Sequence, residues 1–257
     1  MADLKPEELR ALISELNERS EEVGCVVFRP PGEHACVATI FAGNLERFFM
    51  LAAARELRCP VIYIQDTLSW WYQGSTLLPA LDELCRMVIV PETGTARALL
   101  FGQSSGAYAA LAASVWLGGS TVVACAPQTF SDGRLKDRIR FVGVRALKTP
   151  DDLIDLRDRL GAQLDPEAMR AVVIAAGELD NPAHAHWWGD YLHMLRLAEV
   201  PGIELFVVNA NTHVLAHGRI NQFAGLLNEL SCSITYNVSV KNDIVMQFLQ
   251  KEFFKSL

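Results

Sequence analysis

The sequence predicts one α/β domain built on a mostly parallel sheet with helices on both faces. Short apolar runs rich in Val, Ile and Leu alternate with helix-forming segments along most of the chain. Such continuous apolar runs are typical of parallel strands that are covered on both faces. The chain has 257 residues, of which 51% are hydrophobic. That is enough apolar material for a single large core, so we expect one domain over 1–257.

The first elements are a helix and two β-like runs. Leu9, Leu12, Ile13 and Leu16 recur at helical spacing after Pro6, which predicts an amphipathic helix. The runs at 25–30 and 35–43 are separated by the turn-forming letters PGEH and therefore predict an antiparallel hairpin. From there strands and helices alternate. We predict strands at 60–65, 96–102, 120–127, 170–177 and 203–209, and helices near 44–58, 76–88, 104–117, 183–199 and 218–230.

Two segments lie outside this alternation. Residues 130–168 are charged and helix-prone, and they lie between two predicted strands, where a cap or lid could be inserted. Residues 231–257 predict one more strand followed by a helix with an apolar face. That face is expected to pack on the body of the domain or on a second subunit, so a homodimer through the C-terminal extension is one prediction.

Charge and cysteine usage exclude several classes of protein. A net charge of −7 without a Lys/Arg cluster argues against nucleic-acid binding. We find no secretory leader and no apolar stretch long enough to span a membrane, which predicts a cytoplasmic protein. The cysteines form no C-x-x-C pair, so we expect no zinc site and no redox motif, but buried core residues. The cysteines are Cys25, Cys36, Cys59, Cys85, Cys125 and Cys232.

A G-x-S-x-G pentapeptide, Gly102-Gln103-Ser104-Ser105-Gly106, lies between a predicted strand and a predicted helix. A strand that turns sharply into a helix holds the central serine in a strained conformation, and the flanking glycines leave room for the neighbouring backbone. The positions of the two glycines select Ser104 as the nucleophile, because a motif centred on Ser105 would require glycine in place of Gln103. A tight turn without catalysis is the alternative.

A nucleophilic serine needs a base, and the base needs an orienting carboxylate. Asp180 follows the strand predicted at 170–177, and His213 follows the next one, in the chain order Ser, Asp, His. Asp180 could instead be a turn or N-cap residue, with Glu178 as the substitute acid. His213 could be a surface residue, with His217 as the substitute base.

Backbone N–H groups must meet the oxyanion. We expect one from Ser105 and one from Asn44 or Leu45, where Gly43 lets the backbone approach closely, although an ordinary turn there would look the same. Three further histidines, expected to be pocket-wall or surface residues because no third metal ligand accompanies them, are His184, His186 and His193.

An aromatic loop follows the strand predicted at 60–65. Bulky aromatic side chains in a loop are either buried or form the wall of a ligand pocket. With Asp66 nearby, Trp70, Trp71 and Tyr72 are predicted to line a substrate pocket suited to a sugar or aromatic ligand, with core packing as the alternative.

The stretches DTLSWWYQGS, FGQSSGAYAAL and ACAPQTF together resemble the α/β-hydrolase superfamily. More narrowly, they are similar to small hydrolase-like proteins found with bacterial glycan and capsule biosynthesis. The resemblance implies the α/β-hydrolase fold, cofactor-free acyl transfer with Ser104, Asp180 and His213 as the triad, and Gln128 in the substrate pocket. The chain departs from the narrower pattern at Ala107, where a second glycine is usual.

The expected function is a serine hydrolase that cleaves a carboxylic ester or thioester through an acyl-enzyme on Ser104. The expected substrate is a small-molecule or glycan-linked acyl ester, with neither metal nor cofactor. An acyltransferase that moves the acyl group to a sugar or another hydroxyl by the same triad is the first alternative. A non-catalytic binding or scaffold protein of the same fold is the second.

Overall fold

A seven-stranded sheet forms the centre of the protein, with helices packed on both of its faces. The computed structural model describes residues 5–43, 47–69, 71–129, 154–162, 171–177, 185–210, 212–232 and 238–253. Within these residues the strand order is β1-β3-β2-β4-β5-β6-β7. The strands are β1 (Cys25–Phe28), β2 (Cys36–Phe41), β3 (Val61–Ile64), β4 (Arg97–Gln103), β5 (Thr121–Cys125), β6 (Ala171–Gly177) and β7 (Ile203–Asn209).

The sheet is parallel except at one edge, where β1 runs antiparallel to β3. Short 3-10 turns lie at Leu51–Ala53 and Ser114–Trp116, and a π-helical turn at Cys85–Ile89 joins α2 to α3. The helices are α1 (Pro6–Glu18), α2 (Leu81–Leu84), α3 (Val90–Thr93), α4 (Ser105–Ala113), α5 (Leu156–Gly161), α6 (Ala185–Leu195), α7 (Ile220–Cys232) and α8 (Val238–Phe253).

The predicted mostly parallel α/β architecture is confirmed, but the predicted hairpin is wrong. β1 and β2 are not neighbours, because β3 lies between them and pairs with both. Burial gives the reason. All six residues of β2 are buried, whereas all four of β1 are only partly buried. β2 is therefore an interior strand that needs parallel partners on both sides, and β1 closes the edge of the sheet.

One predicted segment differs in the structure, and two further predictions lie largely outside the described residues. In the segment near 44–58, the only helix among the described residues is the 3-10 turn Leu51–Ala53. In the C-terminal extension α7 continues to Cys232 and α8 begins at Val238, and the strand predicted between them falls on 233–237, outside the described residues. Within 130–168 the structure describes residues 154–162, where α5 buries Leu156 and Leu160 completely; the rest of the segment lies outside the described residues, so the cap or lid stays a prediction.

Each face of the sheet carries its own apolar cluster. The helices α1, α7 and α8 cover one face, where Phe223 and Phe248 pack with Phe101 of β4. The helices α2 to α6 cover the other face, and every residue of α4 is buried there. Side chains alternate between the two faces along a strand, so both faces of the apolar strands are buried.

The turn from β4 into α4 has almost no free space. A Cβ on Gly102 would lie 2.1 Å from the carbonyl oxygen of Gly106. A Cβ on Gly106 would lie 2.4 Å from the carbonyl oxygen of Phe41, at the end of β2. Because both neighbours are backbone atoms that cannot rotate away, the two glycines of the pentapeptide are required by packing.

We expect Gly106→Ala to lower the free energy of unfolding by about 3 kcal/mol or more, because the added methyl must displace β2 or α4. Gly225→Ala is the matched control. Its Cβ would meet nothing within 4 Å on the exposed side of α7, so the variant should be more stable than wild type by about 0.5–1 kcal/mol. Urea denaturation measures both; equal effects of the two substitutions would contradict the packing argument.

Candidate active site

Ser104 occupies the turn between β4 and α4 in a strained conformation. Its φ is 58° and its ψ is −122°, outside the regions that residues with a Cβ normally adopt. Its N–H donates to the carbonyl oxygen of Cys125 on β5 at 2.9 Å. Ser104 is partly exposed, whereas the Ser105 side chain is fully buried. Of the two serines, Ser104 is therefore the one that a substrate can reach.

Ser105 is the first residue of α4, where backbone N–H groups have no acceptor within the helix. Such N–H groups can meet a developing negative charge beside Ser104. Gly43 is buried just past the end of β2, and Asn44 and Leu45 lie outside the described residues. The Tyr72 hydroxyl donates to the carbonyl oxygen of Ala42 at 2.8 Å, which fixes the backbone immediately before Gly43.

His213 lies in the loop after β7 and is paired with Asp190 of α6. Both carboxylate oxygens of Asp190 lie 2.9 Å from His213 Nδ1. The two side chains are 12% and 4% exposed, respectively. When Nδ1 donates its proton to this buried carboxylate, the other ring nitrogen, Nε2, becomes the proton acceptor of the imidazole. The pair thus has the arrangement of a general base and its orienting acid.

Asp190 was not among the residues singled out in the sequence. Asp180 and the substitute Glu178 lie outside the described residues, so the prediction for Asp180 stays a prediction. Asp190 stands within a predicted helix, where aspartate usually faces solvent. The usable signal was its spacing from His193, because two polar residues three apart on a helix share one face.

His193 is buried on α6 and binds the loop after β5. Its Nδ1 accepts the N–H of Thr129 at 2.9 Å, and the Thr129 hydroxyl donates to the His193 carbonyl oxygen at 3.2 Å. Burial lowers the pKa of His193 to about 3, with smaller contributions from electrostatic interaction with Arg196 and His213. His193 is therefore a neutral structural residue, only 1% exposed, and the prediction of a pocket-wall or surface position is wrong.

Gln103 links the nucleophile turn to the histidine loop. Its Oε1 accepts the N–H of Ala216 at 2.8 Å, across a sequence separation of 113 residues. The side chain is 1% exposed. Gln103, the first variable residue of the G-x-S-x-G motif, thus anchors the segment that carries His213. The substitute base His217 stacks on Phe49, with 5.3 Å between ring centroids.

The aromatic loop after β3 is folded tightly against the sheet. Trp71 and Tyr72 both have positive φ, of 61° and 57°, and are 2% and 3% exposed. Asp66 holds the loop, because its Oδ1 accepts the N–H groups of Leu68 and Ser69, and burial raises its pKa. The structure therefore shows these side chains packed in the core. Trp70 lies outside the described residues, and substrate contact stays a prediction for this loop.

A small cavity of about 100 Å³ borders the aromatic loop on the side of α4. Trp71, Tyr72 and Tyr108 line its apolar part, and the Asp82–Arg159 ion pair lines its polar part. Gln128, predicted in the substrate pocket, is 8% exposed. Its Oε1 has no hydrogen-bond partner among the described residues, so a polar group of a ligand could satisfy it.

Neither a metal site nor a membrane span is found in the described part of the chain. No three or more His, Cys, Asp or Glu side chains are grouped there so that they could hold a metal ion. No helix there combines the length and the apolar character needed to cross a bilayer.

Comparison with known proteins identifies the fold. No protein-family model matches the sequence, and no curated protein matches it. Among solved structures, a capsule O-acetyltransferase of Neisseria meningitidis serogroup A matches with a TM-score of 0.52 and 14% identity, over 79% of this chain and 91% of that one. MenH from S. aureus matches with a TM-score of 0.51 and 12% identity, over 89% and 98%.

Carboxyl esterase 2 from the fungus Tuber melanosporum matches with a TM-score of 0.50 and 12% identity, over 80% of each chain. Identities this low establish a shared fold and not a shared activity. The chain has the α/β-hydrolase fold, as its sequence predicted.

His193 should make stability depend on pH. Its pKa is about 3 in the folded protein, against 6.5 as the usual value. Between these values the unfolded chain binds a proton that the folded chain does not, so the free energy of unfolding falls by up to about 1.4 kcal/mol per unit as pH decreases. His193→Asn keeps an acceptor for the Thr129 N–H but should lose this contribution, giving a shallower pH dependence in urea denaturation.

His34→Asn is the control for this experiment, because His34 is only partly buried and lies in the turn before β2. We expect that variant to keep the wild-type slope between about pH 4.5 and pH 6.5. A His193→Asn slope equal to that of wild type would show that His193 does not carry the effect.

Proposed function

We propose that the protein is a serine hydrolase that cleaves a carboxylic ester or thioester through an acyl-enzyme on Ser104. One observation carries the proposal. The histidine predicted as the base, His213, is held at Nδ1 by a buried carboxylate, and its loop is anchored to the nucleophile turn through Gln103. A structural histidine needs neither feature, whereas a general base needs both a fixed tautomer and a fixed position.

The proposed reaction has two halves. His213 Nε2 takes the proton of the Ser104 hydroxyl while Ser104 Oγ attacks the carbonyl carbon, and the leaving alcohol or thiol departs with that proton. Water then gives a proton to His213 and attacks the acyl-enzyme, which releases the acid and restores Ser104. In both halves the oxyanion is met by the N–H of Ser105 and an N–H of Asn44 or Leu45.

We assign the orienting carboxylate to Asp190, because within the described residues its side chain contacts His213. Burial strengthens its effect, since a carboxylate shielded from water stabilises the imidazolium that forms during proton transfer. Asp180 is the competing candidate. Its place in the chain, after the strand that precedes the histidine strand, is the usual one for this fold.

Acyl transfer to a sugar or another hydroxyl is the second candidate function. The same residues perform it when a hydroxyl replaces water in the second half of the reaction. A capsule O-acetyltransferase shares the fold, and the sequence resembles proteins of glycan and capsule biosynthesis. The substrate class we propose is therefore a small or glycan-linked acyl ester.

Labelling with a fluorophosphonate probe tests the nucleophile. Wild type should be labelled once, on the peptide that contains Ser104, because the probe captures only an activated serine. Ser104→Ala should not be labelled. Ser105→Ala is the matched control and should be labelled at a rate within about threefold of wild type, because its backbone N–H is unchanged.

Equal labelling of wild type and Ser104→Ala would contradict the proposal. A folded wild-type protein that is not labelled at all would favour the non-catalytic binding protein. A second experiment uses unlabelled wild-type enzyme and separates hydrolysis from acyl transfer. The enzyme is incubated with an acetyl ester, with and without a sugar acceptor, and the products are identified.

Two matched substitutions distinguish the candidate acids. We expect Asp190→Asn to lower kcat/KM for p-nitrophenyl acetate by about 10³- to 10⁴-fold, because His213 then loses the carboxylate that fixes its tautomer. Asp180→Asn should lower it less than about tenfold. The reverse result would assign the acid to Asp180 and leave Asp190 as a structural partner of His213.

A further inference from the structure

The sheet brings two cysteines together that are far apart in the sequence. β2 and β3 pair in parallel, with Ala38 beside Val61 and Thr39 beside Ile62. Cys36 is the first residue of β2, and Cys59 lies in the bend two residues before β3. The Ala38 N–H donates to the carbonyl oxygen of Pro60 at 2.9 Å, which brings the residues around Cys59 next to the start of β2.

Both side chains lie on the same face of the sheet, in the apolar cluster covered by α7 and α8. The two thiols interact with each other, which raises the pKa of Cys36 and lowers the pKa of Cys59. Neighbouring strands lie about 4.8 Å apart, and a disulfide needs a Cα separation of about 4.4–6.8 Å. The spacing of neighbouring strands is thus compatible with a disulfide.

Two cationic side chains lie near Cys36. Arg97 of β4 pairs in register with Cys36 on its other side, and its charge lowers the pKa of Cys36. Lys241 of α8 interacts electrostatically with Cys36 and donates from Nζ to the Thr121 hydroxyl at 2.7 Å. Cations near a thiol favour the thiolate, which is the reactive form.

Two other buried cysteines, Cys85 and Cys125, differ from this pair. Burial raises the pKa of Cys85 to about 12, and the nearby Asp82 raises it further. Burial alone raises the pKa of Cys125. Neither interacts with a second thiol, so they provide internal references within the same chain.

We propose that Cys36 and Cys59 form an oxidisable dithiol, which a hydroperoxide converts into a disulfide between β2 and β3. Hydrogen peroxide is the probe of this class, because it is small enough to reach side chains that are 4% and 5% exposed. The proposal is independent of the hydrolase activity, since the pair lies at the start of β2 and β3 and the candidate active site lies past the opposite strand ends.

The chemistry takes place in two balanced steps. The Cys59 thiolate attacks one oxygen of the peroxide and breaks the O–O bond, which gives a sulfenic acid and, after protonation of the leaving hydroxide, one water. The Cys36 thiol then attacks Cys59 Sγ, forming the S–S bond and expelling hydroxide, which takes the Cys36 proton as a second water. Two thiols are oxidised and one peroxide is reduced.

Peptide mapping of the full chain tests the proposal. The folded protein is treated with hydrogen peroxide, quenched, unfolded, alkylated and digested without reductant. Of the 6 cysteines, Cys36 and Cys59 should escape alkylation and appear as one cross-linked peptide pair that has lost two hydrogens. Cys85 and Cys125 should remain alkylated. Dithiothreitol added before alkylation should restore both missing thiols.

Two variants complete the test. Cys59→Ala should abolish the cross-link, whereas Cys232→Ser should retain it, because Cys232 is the exposed cysteine at the end of α7. Absence of a Cys36–Cys59 peptide from oxidised wild type would overturn the proposal, as would a cross-link in which Cys232 replaces Cys36. The wild-type map alone decides the outcome, so the test does not depend on how well either variant folds.

Discussion

The close approach of α4 to the end of β2 is the constraint on which the candidate active site depends. Backbone carbonyl oxygens of β2 occupy the space where a side chain at Gly106 would lie. The chain can therefore leave β4 and enter α4 only through a very sharp turn, and the residue at the turn, Ser104, takes a positive φ. The strain at one serine thus follows from packing between a helix and a strand that contain no reacting group.

Three buried hydrogen-bonded links then hold the surrounding loops in place. Asp190 and His193 project from α6 toward the loops after β7 and β5, and Gln103 reaches from β4 to the histidine loop. Buried polar groups that find their partners favour one arrangement strongly, because leaving any of them unpaired is costly. α6 thereby acts as a rigid support for two of the loops at the carboxyl edge of the sheet.

The sequence predicted what depends on local patterns. Continuous apolar runs identified the parallel strands, and the glycine frame selected Ser104 from two adjacent serines. The place of β1 could not be predicted in this way, because the turn after it does not reveal that β3, which comes later in the chain, inserts between β1 and β2. Burial decides that arrangement, and burial is a property of the whole sheet.

Asp190 escaped prediction for a related reason. An aspartate in a helix usually faces water, and only the folding of the histidine loop over α6 turns its carboxylate into a buried partner of His213. The same holds for the Cys36 and Cys59 pair, which has no sequence motif because the packing of β2 beside β3 and the segment before it, and not chain proximity, brings the residues together. Contacts between residues that are far apart in the chain are therefore the part of the structure that local sequence patterns do not predict.

The hydrogen bond between Gln103 and Ala216 can form only late in the synthesis of the chain. From β4 to β7, each new strand pairs with the strand made just before it, so the growing chain can extend the sheet as it leaves the ribosome. The hydrogen-bond partner of the Gln103 side chain, however, follows 113 residues later in the chain. The turn that holds Ser104 is thus synthesised long before the loop that holds His213, and over that interval the nascent chain carries the proposed nucleophile without its proposed base.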